Sequence, residues 1–274
     1  MIAAAVRSRR AAAGAVLLAL LLALAAGGPL VSPSGWDDTD LAAFREGPSA
    51  RHWLGTTQSG RDVFALTLHG ARKSMLIGAG VAVLATGLAA VTGTVAGYFG
   101  GRLDRALMWG TDLLLVLPPL LVAAVLAPRP PGGVPVLVVL LAALMWMVTA
   151  RAVRAATISL RRREHVLAAR FLGVGAPRVL ARHVLPQLAS LLAVDASLNA
   201  GVAITAESGL SYLGLGVRPP DASLGTLIAA GQGGAMAHPW PFAVAGGLLV
   251  LIVLAVNLLG DGLRDALDPA RGAS

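Results

Sequence analysis

The chain has 274 residues, of which 56% are hydrophobic and only 13% are charged, and its mean hydropathy is +0.75. A soluble domain carries roughly 25% charged residues, so this composition excludes an ordinary soluble globular protein. The formal net charge of +8 comes without a basic stripe interleaved with aromatic residues, which argues against nucleic-acid binding, and the absence of cysteine excludes disulfides and thiol catalysis.

Apolar runs of near-membrane length predict six transmembrane helices, since a helix needs about 20 residues to cross about 30 Å of hydrocarbon. We place them at residues 11–31, 74–99, 106–127, 134–153, 188–205 and 241–259. Pro118 and Pro119 are expected to kink the third span, because each proline removes a backbone donor and clashes with the preceding turn. The second span is rich in small residues through which helices can approach closely: Gly78, Gly80, Gly87, Gly93 and Gly97.

The first span follows Arg7, Arg9 and Arg10, a pattern that also fits a cleavable signal peptide. Its apolar run of about 21 residues is long for such a peptide and favours a retained anchor. If the N-terminus is cytoplasmic, fifteen of the 22 basic residues lie in cytoplasmic segments. The positive-inside bias therefore predicts that both termini are cytoplasmic.

Residues 151–186, between the fourth and fifth spans, are basic and polar but contain periodic apolar residues. Residues 164–172 (EHVLAARFL) predict a short amphipathic helix, which Gly173 should end because glycine adopts the left-handed cap without a steric penalty. Pro177 is expected at the first position of a second helix, and Pro186 is expected to stop that helix before the fifth span. We call this helix–glycine–helix segment the elbow. Its pattern is typical of a rigid lever that docks into a groove on a partner, and equally of an amphipathic segment that lies on anionic lipid.

Residues 168–186 (AARFLGVGAPRVLARHVLP) resemble the EAA loop of bacterial binding-protein-dependent ABC importer permeases. The residues that match this signature are Ala168, Ala169, Gly173, Leu185 and Pro186. Leu167 replaces the signature glutamate, and Ala176 stands where the family often has a serine cap, so the second helix should begin less firmly.

Three further segments resemble the dipeptide/oligopeptide/nickel branch of this family. Residues 52–64 (HWLGTTQSGRDVF) are similar to its outer-loop motif, with Thr57 in place of the usual aspartate. Residues 211–220 (SYLGLGVRPP) and 257–269 (NLLGDGLRDALDP) are similar to the segment after the fifth span and to the C-terminal signature. The four segments occur in the family's order, and the resemblance runs from about residue 52 to residue 269, which is nearly the whole chain.

The resemblance implies an all-α, polytopic type I ABC importer permease fold with a cytoplasmic coupling helix. Residues 1–71 would form an anchor helix and extracytoplasmic loop, residues 72–263 the transmembrane domain with its EAA-type loop at 164–186, and residues 264–274 a cytoplasmic tail. The implied partners are a second permease subunit in a heterodimer, two ATP-binding subunits and an extracytoplasmic solute-binding protein. The implied cargo is a di- or oligopeptide, with nickel or another small solute of the same branch as the alternative. The ATPase-coupling residues implied are Glu164, Ala168, Ala169, Arg170, Gly173, Pro177, Arg182, His183, Leu185 and Pro186.

The residues independently argue against catalysis by this chain. Lys73 is the only lysine and does not follow the GxxxxG of a phosphate-binding loop, so ATP hydrolysis is expected on a separate subunit. The five histidines are scattered without metal-ligand spacing, and no nucleophile is paired with a base. We therefore expect neither a metal site nor a cofactor.

Four polar residues within or near the spans are candidates for the transport pathway, because an unpaired charge in hydrocarbon costs at least about 2.5–3.5 kcal/mol. Asp195 and Asn199 lie four residues apart and should share a helix face, Glu207 lies further towards the outer end, and Asp112 lies near the inner end of the third span. The alternative is that they satisfy neighbouring helices. An ion-coupled secondary transporter is the rival of a different class, but it would predict internal repeats with paired broken helices, which the sequence lacks.

Overall fold

The computed structural model describes residues 9–32, 34–126 and 133–267. Within these ranges the protein is helical and has no β-strand; an isolated antiparallel bridge joins Thr56 and Asp62. The predicted all-α class is therefore confirmed. Arg7, Pro269 and the predicted end of the third span at residue 127 lie outside the described residues.

The described helices are α1 (Arg9–Val31), α2 (Val63–Phe99), α3 (Gly101–Val116), α4 (Pro119–Leu126), α5 (Gly133–Met145), α6 (Met147–Leu160), α7 (Glu164–Phe171), α8 (Ala176–Val179), α9 (Leu185–Tyr212), α10 (Leu224–Gln232) and α11 (Trp240–Leu267), with a π-helical turn, Leu180–Val184, between α8 and α9. Four stretches are long and apolar enough to cross a membrane: α1, α2, the run from α8 through α9, and α11. The α3–α4 and α5–α6 pairs add two more if each bent pair is one span. These four to six candidate spans agree with the prediction of six.

Two of the spans are broken rather than straight. Helices α3 and α4 meet at 81°, which confirms the kink predicted at Pro118 and Pro119. Leu117, before the first proline, is extended, as the proline ring requires of its neighbour. The fourth span, predicted over 134–153, is also a bent pair, with an angle of 49° between α5 and α6 at Trp146. Neither glycine nor proline marks this second break in the sequence.

The second span begins 11 residues earlier than its predicted start at residue 74, because α2 starts at Val63. Asp62 caps it, since its side chain accepts a hydrogen bond from the N–H of Ala65 at 2.9 Å. The spans were predicted from runs of apolar residues, so the first turns of α2, which contain polar residues, were not included. At 37 residues, α2 is about 55 Å long and passes through the whole bundle.

Helix α2 packs closely against its neighbours through the glycines that the sequence singled out. A Cβ on Gly93 would lie 2.6 Å from the carbonyl oxygen of Ala150, and one on Gly97 would lie 2.7 Å from that of Arg154. These contacts confirm the predicted small-residue packing at both positions, here between α2 and α6. Gly87 is an exception, because nothing lies within 4 Å of a Cβ placed there.

The buried core surrounds α2. Ile77, Val81 and Ala85 of α2 pack with Leu137 and Leu141 of α5 in the central cluster. A second cluster joins α1, α2, α9, α10 and α11. We call the end of the bundle around Phe99 and residues 161–186 the elbow end, and the end around residues 34–62 and 213–239 the loop end.

Candidate functional site

The first arm of the elbow is α7, which ends where the sequence predicts. Gly173 has a φ of +78°, in the left-handed region, where glycine carries no steric penalty. Its N–H donates to the carbonyl of Arg170 at 3.0 Å, and the N–H of Val174 donates to the carbonyl of Ala169 at 3.1 Å. These two bonds form a Schellman motif, which caps the helix and redirects the chain. The predicted helix end is confirmed.

The second arm of the elbow, which consists of α8 and the π-helical turn, differs from the prediction at both ends. Gly175, and not Ala176, is its N-cap, so Pro177 occupies the second helical position rather than the first. Pro186 does not stop the helix, because the chain is helical from α8 through α9. The π-helical turn accommodates this proline: the N–H of Leu185 donates to the carbonyl of Leu180, and the widened turn changes the hydrogen-bond register just before the ring. The second arm and the fifth span therefore form one continuous helical rod.

A small apolar cluster fixes the elbow to the end of α2. Val166, Ala169 and Val179 are buried against one another, and Tyr98 and Val174 pack on them. The cluster joins both arms of the elbow to the last turn of α2. The elbow therefore has its own core, which favours movement as a unit.

Two arginines strengthen the same junction. Arg161 donates to the carbonyl oxygens of Gly97 at 3.0 Å and Tyr98 at 3.3 Å, and so satisfies carbonyls at the C-terminal end of α2. The guanidinium of Arg170 lies 5.7 Å from the centroid of the Tyr98 ring, within cation–π range. Positive charge thus accumulates at the negative end of the α2 dipole.

The predicted coupling residues divide by exposure. The exposed ones are Glu164, Ala168, Arg170, Gly173, Pro177, Arg182 and Pro186; His183 and Leu185 are half-buried, and Ala169 is buried. Sequence reasoning missed the two side chains that dominate the tip, Phe171 and Leu172, which are 89% and 83% exposed. The helical pattern gave no signal for them, since Leu172 follows the buried Ala169 by three residues, a spacing that places both on one helix face. Exposed apolar side chains at a rigid tip favour insertion into a partner's groove.

Asp195 and Asn199 form a polar cluster between α6 and α9. Asn199 Nδ2 and Thr149 Oγ1 each donate to Asp195 Oδ2 at 2.7 Å. The shared helix face predicted for Asp195 and Asn199 is confirmed, whereas Thr149 on the neighbouring helix was missed. Both predicted residues are half-buried, so the cluster keeps some contact with the surface of this chain.

Glu207 lies in a different environment, since it is 0% exposed. Ser74 of α2 donates to its carboxylate at 2.9 Å, and Ser211 donates at 2.6 Å. Ser74 also accepts from the N–H of Leu224 at 3.3 Å, which joins α10 to the same network. This carboxylate therefore ties three helices together near the loop end and offers no surface to solute within this chain.

Asp112 pairs with Arg151 on the surface between α3 and α6. Asp104, two turns earlier on α3, pairs with Arg154, whose Nη2 donates to Asp104 Oδ2 at 2.6 Å. The two ion pairs join the bent third span to α6. Glu207 and Asp112 thus both have helix–helix partners, and the pathway role of all four polar candidates stays a prediction.

The outer-loop motif at residues 52–64 folds as a compact turn that caps α2. His52 Nδ1 lies 2.8 Å from Asp62 Oδ2, so Asp62 is held by the loop while its other oxygen caps the helix. The hydroxyl of Thr57 accepts from the N–H groups of Ser59 at 3.3 Å and Arg61 at 3.1 Å. Thr57 therefore makes the local turn bonds that the usual aspartate of this motif would be able to make.

Asp221, in the segment after the fifth span, is held by two basic residues of α2. Lys73 Nζ donates to one carboxylate oxygen at 2.9 Å, and His69 Nε2 lies 3.2 Å from the other. Burial raises the pKa of the Asp221 carboxyl, but the hydrogen bonds and positive charges of Lys73 and His69 outweigh it and leave that pKa below its ordinary value. Asp221 is therefore a compensated anion at neutral pH.

Comparison with known proteins decides the family. The profile described as binding-protein-dependent transport system inner membrane component matches residues 89–272, which include the elbow and the described helices from α3 to α11. The chain belongs to this family. The resemblance stated from the sequence is confirmed.

Relatives of this permease align over almost its full length. It is 50% identical over 266 residues to the oligopeptide transport system permease protein OppC of Mycobacterium tuberculosis (strain ATCC 25618 / H37Rv), an alignment that covers 96% of this chain and 91% of the relative. It is 43% identical to a putative peptide permease protein of Brucella suis biovar 1, over 96% of this chain and 88% of that one. The OppC protein of Bacillus subtilis (strain 168) is 35% identical, over 96% of this chain and 86% of its own.

Membership fixes the general role. The chain is the permease subunit of an ABC importer and not an enzyme, since ATP is hydrolysed on a separate subunit. It works in an inner-membrane complex with an ATPase and a solute-binding protein. The type I permease fold predicted from the sequence is confirmed.

Proposed function

We propose that this permease supplies one half of a translocation pathway for di- or oligopeptides and is driven through the elbow at residues 164–186. Its complex contains a second permease subunit, as a heterodimer, and two ATP-binding subunits. Relatives that align over 96% of the chain and are named as oligopeptide or peptide permeases support the peptide cargo. The arginine bias supports a topology in which both termini and the elbow are cytoplasmic.

The construction of the elbow is the observation that carries the coupling proposal. Its second arm continues without interruption into the fifth span, and its first arm is locked to α2 through the cluster around Val166. A push on the tip therefore reaches two transmembrane helices together. Closure of the ATPase pair would move the elbow as a rigid body and shift the population between inward- and outward-open states.

The exposed side chains at the tip of the elbow, around residues 171–172, favour the ATPase rather than lipid as its partner. A helix lying on a membrane places its apolar face along its length, whereas here the apolar face of α7 is used internally by Val166 and Ala169. Only Phe171 and Leu172 project at the end, next to the exposed Arg170. Such a compact tip suits a groove.

The pathway assignment is narrower than the sequence suggested. Asp195, Asn199 and the exposed Asp112 are our pathway candidates, whereas the completely buried Glu207 is proposed to serve helix–helix contacts through its serine partners. The division into residues 1–71, 72–263 and 264–274 stays our proposal for the anchor and loop, the transmembrane domain and the tail.

Gly173 provides the test of coupling. Gly173→Val places a β-branched residue at a φ of +78° and should abolish uptake of a labelled peptide by the reconstituted complex, while the protein remains in the membrane. Gly173→Asn is the matched control, because asparagine tolerates the left-handed region, and it should keep most of the uptake. Uptake assays with labelled peptides and with nickel in the same proteoliposomes identify the cargo. Normal uptake by Gly173→Val would contradict the coupling role.

A further inference from the structure

A cavity of about 470 Å³ opens at the loop end of the bundle. Separate parts of the chain form its walls: the outer loop over residues 45–63, the first turns of α2, the segment 219–222, and α10 with the start of α11. It lies at the first turn of α2, whereas the elbow is fixed to the last turn of this 37-residue helix about 55 Å away. Its volume is within the range of sites that receive a small ligand or an inserted side chain.

The interior of the cavity is largely apolar and includes a buried hydroxyl that lacks a partner among the described residues. Val63, Leu66, Pro219 and Leu227 contribute to the walls. Thr67 also lines the cavity; it is only 3% exposed, and its hydroxyl has no hydrogen-bond partner among the described residues. A buried hydroxyl without a partner costs about 1–3 kcal/mol, so this one indicates a polar partner supplied by another molecule.

The uncompensated charge at the cavity is positive. Arg45 and Arg61 line it, and within the described ranges neither guanidinium has an ion pair or a side-chain hydrogen bond. Asp221, the acidic residue in the wall, is already taken by Lys73 and His69. Arg45 also has a φ of +51°, a left-handed conformation that is uncommon outside glycine and that recurs at functional sites.

We propose that this cavity is the docking site for an acidic surface segment of the extracytoplasmic binding protein. One apolar side chain of that segment enters the cavity, a neighbouring carboxylate pairs with Arg45 and Arg61, and a carbonyl oxygen accepts from Thr67. The two arginines without ion pairs call for an acidic partner, and the position of the cavity opposite the elbow, in a complex that depends on a binding protein, selects that protein. The inference rests on the proposed function, because it needs the loop end to face outwards.

The test uses the complete importer in lipid nanodiscs with its own cargo-loaded binding protein, and records the ATPase rate against binding-protein concentration. Arg61→Glu should raise the half-saturating concentration about tenfold or more and leave the maximal rate unchanged, because it weakens docking and not the motor. Thr67→Val, which removes only the hydroxyl, should raise it severalfold. Arg51→Glu is the matched control, since Arg51 is an exposed arginine of the same loop outside the cavity, and it should behave like the unchanged protein.

A second measurement identifies the occupant directly. The chain has no cysteine, so Gln58→Cys at the cavity wall carries a photoactivatable cross-linker at a single position of this chain, which is labelled before assembly. The cross-linked peptide should come from the binding protein and contain an acidic residue beside an apolar one. Cross-linking to the second permease or to cargo, or an unchanged half-saturating concentration in both Arg61→Glu and Thr67→Val, would overturn the proposal. If the unchanged importer itself fails to respond to the binding protein, the proposed function fails instead.

Discussion

The carboxylates of Asp195 and Glu207 both lie in α9, but their surroundings assign them different roles. Glu207 is completely buried and accepts hydrogen bonds from two serine hydroxyls at 2.9 Å or less, so its carboxylate is bound by side chains of this chain. Asp195 is half-buried, and two side-chain donors, Thr149 and Asn199, reach the same oxygen, Oδ2. The Asp195 side chain therefore keeps partial exposure, whereas that of Glu207 has none.

We therefore expect Asp195 to act through its charge. Asp195→Asn keeps the shape and one acceptor oxygen, and should lower peptide uptake about tenfold, equivalent to about 1.4 kcal/mol, without changing the yield of assembled complex. Thr149→Val removes a donor to the same oxygen and is the structural comparison; it should affect thermal stability more than uptake. Uptake by reconstituted complexes and their melting temperatures separate the two effects. If Asp195→Asn transports normally, the carboxylate is structural.

The polar candidates themselves were predictable from the sequence, but their partners were not. A charged residue in an apolar run is visible locally, and Asn199 is found four residues from Asp195 by helix periodicity. Thr149 is 46 residues from Asp195, and Ser74 is 133 residues from Glu207. Such pairs depend on which helices become neighbours, and this information is not local.

At the scale of elements, the sequence predicted a helix end or a kink correctly where a single glycine or proline determines the backbone. It failed where tertiary packing determines the helix geometry. Gly173 and Pro118 specified a cap and a kink that the structure contains. Pro186 was wrongly predicted to end a helix, because a π-helical turn before it relieves the steric clash by which proline normally does so. The bend at Trp146 has no sequence signal at all. The elbow was therefore located correctly, but its fusion to the fifth span was not predicted.

The elbow tip gives a prediction at this scale. Phe171→Ala should weaken binding of the ATPase subunit by about 2 kcal/mol, or about 30-fold, because a large apolar anchor in a groove contributes about this much. Binding of the purified ATPase to nanodisc-embedded permease pairs measures the change. Phe44→Ala, at an exposed phenylalanine of the loop end, is the matched control and should leave this affinity unaltered. Equal affinities for the two variants would exclude Phe171 from the interface.

On the scale of the whole molecule, the two proposed interfaces lie at opposite ends of one long helix. The elbow is fixed to the last turn of α2 through Tyr98, and the cavity is built on its first turns through Leu66 and Thr67. The elbow end carries Arg161, Arg170 and several further arginines, whereas acidic residues accompany the basic ones at the loop end. A single topology therefore serves both proposals: the elbow must face ATP, and the cavity must face the binding protein.

That topology can be measured because the chain has no cysteine. Ala50→Cys at the loop end and Ala181→Cys in the elbow place single thiols at two exposed positions. In sealed right-side-out vesicles, a membrane-impermeant maleimide should label the first and not the second, and both should react after the membrane is opened. The positive-inside bias gives the physical reason, since basic segments are retained on the cytoplasmic side during insertion. Labelling of Ala181→Cys in sealed vesicles would mean that the elbow lies outside and the cavity inside. The elbow would then not meet the ATPase, the cavity would not meet the binding protein, and both proposals would be refuted.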